Sequence, residues 1–254
     1  MVEFYHFKFF EKQSDLIHAV SQKSTEHPYG FSLALHTGEE EEKIIQNRSM
    51  IAKYLGTNKS LNFIVANQTH SDHIKVITDK KTQGWRTLRN AVEDCDALIT
   101  QEKNVILCIL TADCVPILLY DPENKVVAAV HAGWKGTKAG IVSNTVQKMQ
   151  DTFGSKAENI IAGVAPSIGG CCYEVDEEVA EHFFEIPESF SKRGDKYMLN
   201  LPYINKYQLL ESGLKEKNIE MSEVCTACDV EKYFSYRKEQ GCSGRFMSTI
   251  GMVN

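Results

Sequence analysis

Three apolar runs that follow one another within residues 104–130 constrain the fold of this chain more than any other feature. They read NVILCIL at 104–110, VPILLY at 115–120 and KVVAAV at 125–130. Apolar runs of this length, bounded by polar residues, indicate buried strands. The turn Asp121-Pro122-Glu123-Asn124 separates the last two runs and predicts a hairpin. The sequence therefore predicts a β-sheet core near the middle of the chain.

Further strands and helices alternate on both sides of this core. The predicted strands lie at 4–10, 31–35, 62–67, 73–78, 159–165, 197–200, 233–236 and 245–250. The predicted helices lie at 39–55, from the segment AGWKGTKAG to about 153, and near 176–184 and 203–216. No Pro/Ser-rich linker and no repeat divides the chain. We therefore predict a single mixed α/β domain over residues 1–254, with mixed β-sheets covered by helices.

The charge balance argues against a protein built mainly to bind nucleic-acid phosphates. The chain has 28 Lys+Arg against 34 Asp+Glu, and its basic residues are scattered. No apolar run approaches the ~18 residues needed to cross a membrane. The first fifteen residues alternate like a strand and lack the features of a signal peptide, which predicts a cytoplasmic protein. In that compartment, the eight cysteines indicate buried thiols, metal ligands or a nucleophile rather than disulfides.

Three side chains that can bind a metal follow the ends of apolar strands. His70 comes after NFIVANQT, Cys114 after NVILCILTAD, and His131 directly after KVVAAV. Groups at strand ends can converge on one rim of a sheet. Two imidazoles and one thiolate would leave the fourth position of a tetrahedral zinc open, as in catalytic sites. The alternative is that each is an ordinary core residue, because their spacing matches no short metal motif.

Polar and glycine residues near these three suggest further roles. Asp113 could orient a ligand, act as general base, or cap the turn between two strands. The segment Gly133-Trp134-Lys135-Gly136-Thr137 links a strand to a helix, where glycines and free N–H groups can approach a phosphate or a ribose. An ordinary strand-to-helix turn uses glycines too. We take Gly133 and Lys135 as candidate substrate contacts.

Two basic regions are candidates for binding an anion. On the helix at 39–55, Arg48 interrupts a line of apolar residues spaced by three and four. It either extends to the rim with only its stem buried or awaits an anionic ligand. Arg237 and Arg245 flank the turn KEQGCSG, which predicts a hairpin with positive charge at its mouth.

The remaining cysteine pairs do not match a known metal or redox motif. Cys225-Thr-Ala-Cys228 is followed by Cys242 alone, whereas a zinc ribbon needs a second close pair. A thioredoxin motif would lie between the first strand and helix of its fold. Cys171 and Cys172 are adjacent and too close in sequence for chelation. We interpret these cysteines as buried or fortuitous.

Five segments of the chain resemble the signature blocks of one family. They are NQTHSDHI, TADCVPILLYD, VVAAVHAGWKGT, APSIGGCCYEV and FSYRKEQGCSGR, they occur in the family order, and they span about residues 30–250. The sequence is thereby similar to the YfiH-type family, also called the polyphenol oxidase or laccase-domain family and regarded as purine nucleoside phosphorylases.

This resemblance implies both a site and an activity. It implies zinc bound by His70, Cys114 and His131, and a single catalytic domain related in fold to the catalytic domain of cytotoxic necrotizing factor. It also implies phosphorolysis of adenosine, inosine, guanosine or methylthioadenosine, with deamination of adenosine, so that the partners are purine nucleosides and phosphate. Arg48, in QNRSM, is similar to a substrate-contacting position of the family. The chain departs from the family where Arg237-Lys238 replaces an Arg-Arg pair.

Three other functions remain open from the sequence. Cys114 and His131 could form a metal-free cysteine hydrolase or deamidase. A copper-dependent polyphenol oxidase would fit the older family name, although no His-Cys-His pattern exists here. A binding protein with a structural zinc would normally supply four protein ligands instead of three.

Overall fold

The strands of this protein fall into three sheets in the computed structural model, which describes residues 2–56, 60–241 and 243–253. The strands are β1 Phe4–Tyr5, β2 Leu16–Ser21, β3 Asn62–Val65, β4 Ile74–Ile77, β5 Ala97–Thr100, β6 Val105–Thr111, β7 Val115–Asp121, β8 Val126–Ala132, β9 Ile161–Val164, β10 Glu174–Val175, β11 Phe190–Arg193, β12 Lys196–Leu199, β13 Ile219–Met221 and β14 Phe246–Met252. The α-helices are α1 Lys8–Glu11, α2 Glu41–Leu55, α3 Trp134–Lys138, α4 Ile141–Phe153, α5 Glu177–Ala180 and α6 Leu201–Glu211.

The two large sheets both mix parallel and antiparallel pairs. The five-stranded sheet has the order β1-β2-β14-β6-β3, and its β3–β6 pair is parallel. The six-stranded sheet has the order β13-β9-β7-β8-β5-β4, with parallel pairs at its two edges. The predicted hairpin is confirmed, because β7 and β8 pair antiparallel from Val115↔Ala132 to Asp121↔Val126. The prediction of mixed sheets covered by helices is confirmed as well.

The two large sheets face each other and are covered by helices on their outer sides. In β6, Leu107 and Ile109 lie in the core between the sheets, whereas Ile106 and Leu110 pack in the core that includes Ile51 of α2. The six-stranded sheet alternates in the same way, and its outer face packs on α4 and α6. Because both faces of each sheet are buried, the strands are continuous apolar runs rather than alternating ones. This explains the strong signal at 104–130.

The N-terminal strand predictions are wrong in part. Within 4–10, only Phe4–Tyr5 is a strand, and Lys8–Glu11 forms a helical turn. The reason is that Phe7 and Phe10, three residues apart, both pack fully buried in one core. The strand β2 at Leu16–Ser21 was not predicted.

The predicted strands at 31–35 and 233–236 are absent from the described structure. The 31–35 segment follows a short 3₁₀ turn at Pro28–Phe31. The carbonyl groups of Ser32 and Leu33 accept hydrogen bonds from the side chains of Asn47 and Arg48, so that side chains of α2 replace a neighbouring strand. Within the described residues, no helix is long and apolar enough to cross a membrane. The single-domain organisation and the relation to the cytotoxic necrotizing factor domain stay predictions.

Candidate functional site

His70, Cys114 and His131 lie together at one end of the two large sheets. The Sγ atom of Cys114 is 3.7 Å from Nε2 of His70, and the two imidazole rings are 4.7 Å apart at an angle of 78°. One ligand atom from each residue lies within 4.8 Å of the others. His131 is buried, Cys114 is half-buried and His70 is exposed. The structure therefore brings together the three residues that the sequence selected.

The topology explains this convergence. His70 and Cys114 follow the carboxyl ends of β3 and β6, and His131 is the second-last residue of β8. The side-chain amide of Gln68 both donates to and accepts from the backbone of Leu110, at 2.9 Å each, and so holds the segment before His70 against β6. His70 itself has a left-handed backbone, with φ of 61°. The site thus collects one residue from the loop after β3, one from the turn between β6 and β7, and one from β8.

Asp96 organises two of the three residues, and our sequence reasoning missed it. Its fully buried carboxylate is 2.6 Å from Nδ1 of His131, which leaves Nε2 available for a metal ion. It also accepts hydrogen bonds from the backbone N–H groups of Thr69, His70 and Ser71 at 3.2, 3.1 and 2.7 Å. A carboxylate behind a histidine in this way fixes the orientation of the ring and raises its basicity as a ligand.

The signal for Asp96 lay in the strand register. Ala97, the first residue of β5, pairs with Val130 of β8, so Asp96, the residue just before β5, lies opposite His131. The backbone N–H of His131 indeed donates to the carbonyl of Asp96 at 2.7 Å. A sequence prediction that paired DCDALIT with KVVAAVH in this register would have found the contact.

The charges of the site favour a cation. Burial raises the pKa of the Cys114 thiol, but the imidazoles of His131 and His70 outweigh this effect and lower it to about 6. Burial lowers the pKa of His131, but the Cys114 sulfur and the Asp96 carboxylate outweigh this effect and raise it to about 9. The pKa of Asp96 lies far below its usual range, because bonds to His131 and Ser71 outweigh its burial. Two anionic groups therefore converge on the imidazoles.

Gly133 borders the site at a position that has no room for a side chain. A Cβ atom at this position would lie 2.9 Å from Cδ2 of His70 and 3.2 Å from Sγ of Cys114. Its φ of −76° is open to any residue, so the requirement is for space alone. The predicted place of Gly133 at the site is consistent with this contact.

Asp113 bonds to the polypeptide around the site and not to the three clustered side chains. One carboxylate oxygen accepts from the hydroxyl of Thr226 and the other from the backbone N–H of Arg237, at 2.7 Å each. Its backbone is left-handed, with φ of 87°, in the turn between β6 and β7. Of the three roles open in the sequence, these contacts favour the structural one, because Asp96 instead orients a ligand.

A cavity of about 620 Å³ opens beside the three residues. This volume is within the ~300–1,000 Å³ typical of small-molecule sites. Its aromatic and basic lining residues are Trp134, Tyr173, Tyr236, His36, Arg237 and Arg245. The guanidinium of Arg237 lies 5.2 Å above the ring of Tyr173, and that of Arg245 lies 5.7 Å from the ring of Tyr236. The cavity thus combines flat aromatic faces with two cations.

Arg48 does not line this cavity, which corrects its assignment as a substrate contact. Its side chain is fully buried and donates to the backbone carbonyls of Leu33, Gly84 and Trp85 at 2.7–2.8 Å. Among the described residues, its Nη2 atom has no hydrogen-bond partner. Burial lowers the pKa of Arg48 to about 10. The guanidinium therefore joins α2 to two loops, and neither sequence interpretation, a rim position or an anion contact, describes it.

Lys135 is also placed away from the cavity. It is exposed on α3, with its Nζ atom 5.7 Å from the ring of Trp134. The helix α3, at whose N-terminus a phosphate contact was predicted, has five residues. Arg237 and Arg245 do line the cavity, and residues 236–241 form turns where part of a hairpin was predicted.

A second cluster corrects our interpretation of the other cysteines. Cys171, Cys172, Cys225 and Cys228 place their sulfur atoms within 4.8 Å of one another. The sequence suggested no such cluster, because adjacent cysteines are an unusual chelating pair. Cys242 lies outside the described residues.

Comparison with known proteins identifies the family. A family model described as multi-copper polyphenol oxidoreductase laccase matches residues 17–253. The chain belongs to this family. The resemblance seen in the sequence is thereby confirmed, and the family description names copper where we predicted zinc.

Relatives within this laccase-like family are named as enzymes of purine nucleosides. A Bacillus subtilis protein named purine nucleoside phosphorylase YlmD is 35% identical over 239 residues, which are 92% of this chain and 84% of that protein. A protein of an unknown prokaryotic organism, named adenosine deaminase RL5, is 31% identical over 232 residues, 87% of this chain and 86% of that one. These names support an enzyme of the same kind.

Solved structures of the laccase-like family share the fold. The structure of YlmD from Geobacillus stearothermophilus has a TM-score of 0.91 and 29% identity, and the match covers 98% of this chain and 94% of that one. The structure of a Bacillus licheniformis protein described as hypothetical protein YfiH has a TM-score of 0.88 and 32% identity, with coverage of 94% and 93%.

Proposed function

We propose that this protein is a zinc-dependent purine nucleoside phosphorylase that also deaminates adenosine. The observation that carries the proposal is the cluster of His70, Cys114 and His131 at the mouth of a 620 Å³ cavity with aromatic and cationic walls. The names of its relatives support the same reaction class.

The donor set fits zinc in a catalytic rather than a structural arrangement. His70, Cys114 and His131 would hold the ion, and Asp96 would orient His131. Three protein ligands leave a fourth position open towards substrate. When bound, such an ion supplies Lewis-acid chemistry and lowers the pKa of water towards ~7. Two imidazoles and one thiolate are also the donor set of electron-transfer copper sites, which add a weak axial methionine, glutamine or backbone oxygen, so metal analysis is needed to separate zinc from copper.

The walls of the cavity supply the means to bind both substrates. Tyr173, Tyr236 and Trp134 bring aromatic rings to the cavity, and a purine can stack on such rings. Arg237 and Arg245 bring two guanidinium groups to the same cavity, and guanidinium binds phosphate oxygens through paired N–H groups. Phosphorolysis needs these two features together, since phosphate must attack the ribose carbon that releases the purine.

Asp113 and Gly133 act on this geometry indirectly. Asp113 holds the backbone of Arg237 and thereby sets where its guanidinium enters the cavity. Gly133 keeps the space beside His70 and Cys114 free for ligand and substrate. We assign both as positioning residues.

A cysteine hydrolase is the second candidate, and one arrangement favours it. Cys114, His131 and Asp96 are linked as a thiol, a base and the carboxylate that orients the base. However, a hydrolase of this kind needs one imidazole at the sulfur, whereas His70 brings a second one to 3.7 Å. That second imidazole favours the metal site.

One experiment separates these functions. Purified protein is analysed for zinc and copper, then assayed with inosine and with adenosine, each with and without phosphate, beside a His70→Ala variant. We expect bound zinc, hypoxanthine release only with phosphate, conversion of adenosine to inosine without it, and loss of zinc and of deamination in the variant. Bound copper without nucleoside turnover would refute the proposal. So would a rate of hypoxanthine release from inosine that is the same with and without phosphate. Rapid alkylation of Cys114 in the zinc-loaded protein would favour the hydrolase.

A further inference from the structure

We propose that Cys171, Cys172, Cys225 and Cys228 form a second metal site that binds one zinc ion and holds a wall of the cavity in place. This site is separate from the cluster of His70, Cys114 and His131. We refer to its four residues as the four-cysteine cluster.

The spacing of the sulfur atoms fits a chelated ion. The Sγ atom of Cys228 is 3.6 Å from that of Cys171 and 3.4 Å from that of Cys172, and all four sulfurs lie within 4.8 Å of one another. Four sulfurs at ~2.3 Å from a tetrahedral zinc are about 3.8 Å apart. A disulfide would require ~2.05 Å. The cysteines therefore have the separation of ligands around one ion.

The backbone holds the two cysteine segments together without help from a metal. Ser167 and Cys225 form a parallel β-bridge, and the N–H of Thr226 donates to the carbonyl of Ser167 at 3.0 Å. The N–H of Gly169 donates to the Sγ atom of Cys225 at 3.3 Å. Amide donors at a sulfur stabilise its thiolate form, which is the form that binds metal. The cluster is thus pre-organised by contacts outside the cysteines themselves.

The cluster is accessible to an ion from solvent and closed once the ion is bound. Cys171 and Cys228 are exposed, whereas Cys172 and Cys225 are partly buried. Four thiolates complete a tetrahedral coordination shell, which is the arrangement of structural zinc sites. Soft thiolate ligands select zinc over magnesium or calcium. The cluster therefore complements the open three-ligand site with a closed one.

The same two segments form part of the cavity wall. The first segment continues into Tyr173, and the second leads through Thr226 to Arg237, with both Tyr173 and Arg237 lining the cavity. Thr226, between the two cysteines of the second segment, donates to Asp113 at 2.7 Å. Arg237 contacts the first segment, because it stacks over Tyr173 and donates to the carbonyl of Glu174 at 2.7 Å. An ion in the four-cysteine cluster would fix the positions of these two segments relative to each other.

Metal analysis of the full chain tests the inference. The wild type, a Cys171→Ser/Cys228→Ser variant, a His70→Ala variant and their combination are purified under reducing conditions, loaded with zinc chloride and dialysed. We expect one zinc ion in each site of the wild type, one remaining ion in either variant, and none in the combination. A Cys95→Ala variant, which removes a buried thiol of the core between the sheets, is the matched control and keeps both ions.

A second measurement makes the result independent of catalysis. In the His70→Ala background, added zinc is expected to raise the midpoint of thermal unfolding, and the further loss of Cys171 and Cys228 is expected to abolish that rise. Zinc retained equally by the His70→Ala variant with and without Cys171 and Cys228 would overturn the inference. So would a wild type whose zinc content is unchanged by the loss of Cys171 and Cys228, or a disulfide within the cluster by intact mass of the wild type purified without reductant. A failure of the nucleoside assays leaves these outcomes unaffected.

Discussion

Replacing Asp96 by Asn tests the role of this carboxylate directly. The Oδ1 atom of Asp96 faces Nδ1 of His131 and the N–H of His70, whereas Oδ2 faces the N–H groups of Thr69 and Ser71. An amide has one oxygen, so its NH₂ group must face one of these pairs of donors. Two donors then lose their acceptor, the backbone N–H groups among them being only partly buried, and His131 loses the anion that orients it.

The expected effects follow from these lost contacts. Removing the partner of a metal-bound histidine typically weakens metal binding by ~10- to 100-fold. A buried donor without its acceptor costs about 1–3 kcal/mol. Because the backbone donors here are only partly buried, the free energy of unfolding of the metal-free chain should fall by roughly 1–3 kcal/mol in total. Zinc affinity is measured by competition with a chelator, and stability by urea unfolding.

Asp94 provides the matched control in the same short segment. Its carboxylate is 59% exposed and contacts His73 and the hydroxyl of Thr69 at the surface. An Asp94→Asn variant makes the same chemical change two residues away and is expected to keep wild-type zinc affinity. If Asp96→Asn binds zinc as tightly as Asp94→Asn does, Asp96 does not orient the site, and our interpretation of His131 is incorrect.

Three further predictions concern other positions. Gly133→Ala should weaken zinc binding about tenfold, because the new methyl group meets His70 at 2.9 Å; unchanged affinity in a chelator titration would contradict this. Arg48→Met should lower the free energy of unfolding by about 3–5 kcal/mol and leave kcat/KM of the folded fraction intact; a stable variant with lost turnover would restore the substrate role. His18 accepts the N–H of Phe7 at 2.8 Å, and burial, reinforced by His6, lowers its pKa from 6.5 to about 3. The unfolded chain therefore binds a proton that the native chain does not, so stability should fall by up to about 1.4 kcal/mol per pH unit from pH 6.5 down to pH 3; His18→Gln should flatten this slope, and an unchanged slope would exclude His18 as its source.

The sequence predicted the three clustered residues because their strands are unambiguous. The runs before Cys114 and His131 are buried on both faces, so their apolar character is continuous and their ends are easy to locate. Residues at neighbouring strand ends on one edge are close whatever the detailed register is. Asp96 was missed because its contact depends on one particular pairing, Ala97 with Val130, which periodicity does not specify.

The predictions for Arg48 and for the cysteines failed for a common physical reason. Their contacts join loops that are far apart in sequence. The spacing of Arg48 correctly placed it on the buried face of α2, but its acceptors are carbonyls at Gly84 and Trp85, which have no distinctive residue pattern. The four-cysteine cluster depends likewise on the bridge between Ser167 and Cys225. Backbone contacts of this kind leave no signature in a single sequence.

Because side chains alternate along β8, His131 faces the site only when β8 is paired in its native register. Val127 and Ala129 point into the core between the sheets, and His131 follows them at the same spacing of two, whereas Val126 and Val130 face the helices. A slip of β8 by one residue would turn His131 towards the helical side and away from Cys114. Only a molecule with the native register presents all three groups together, so any measurement that requires all three at once also reports on the pairing of β8.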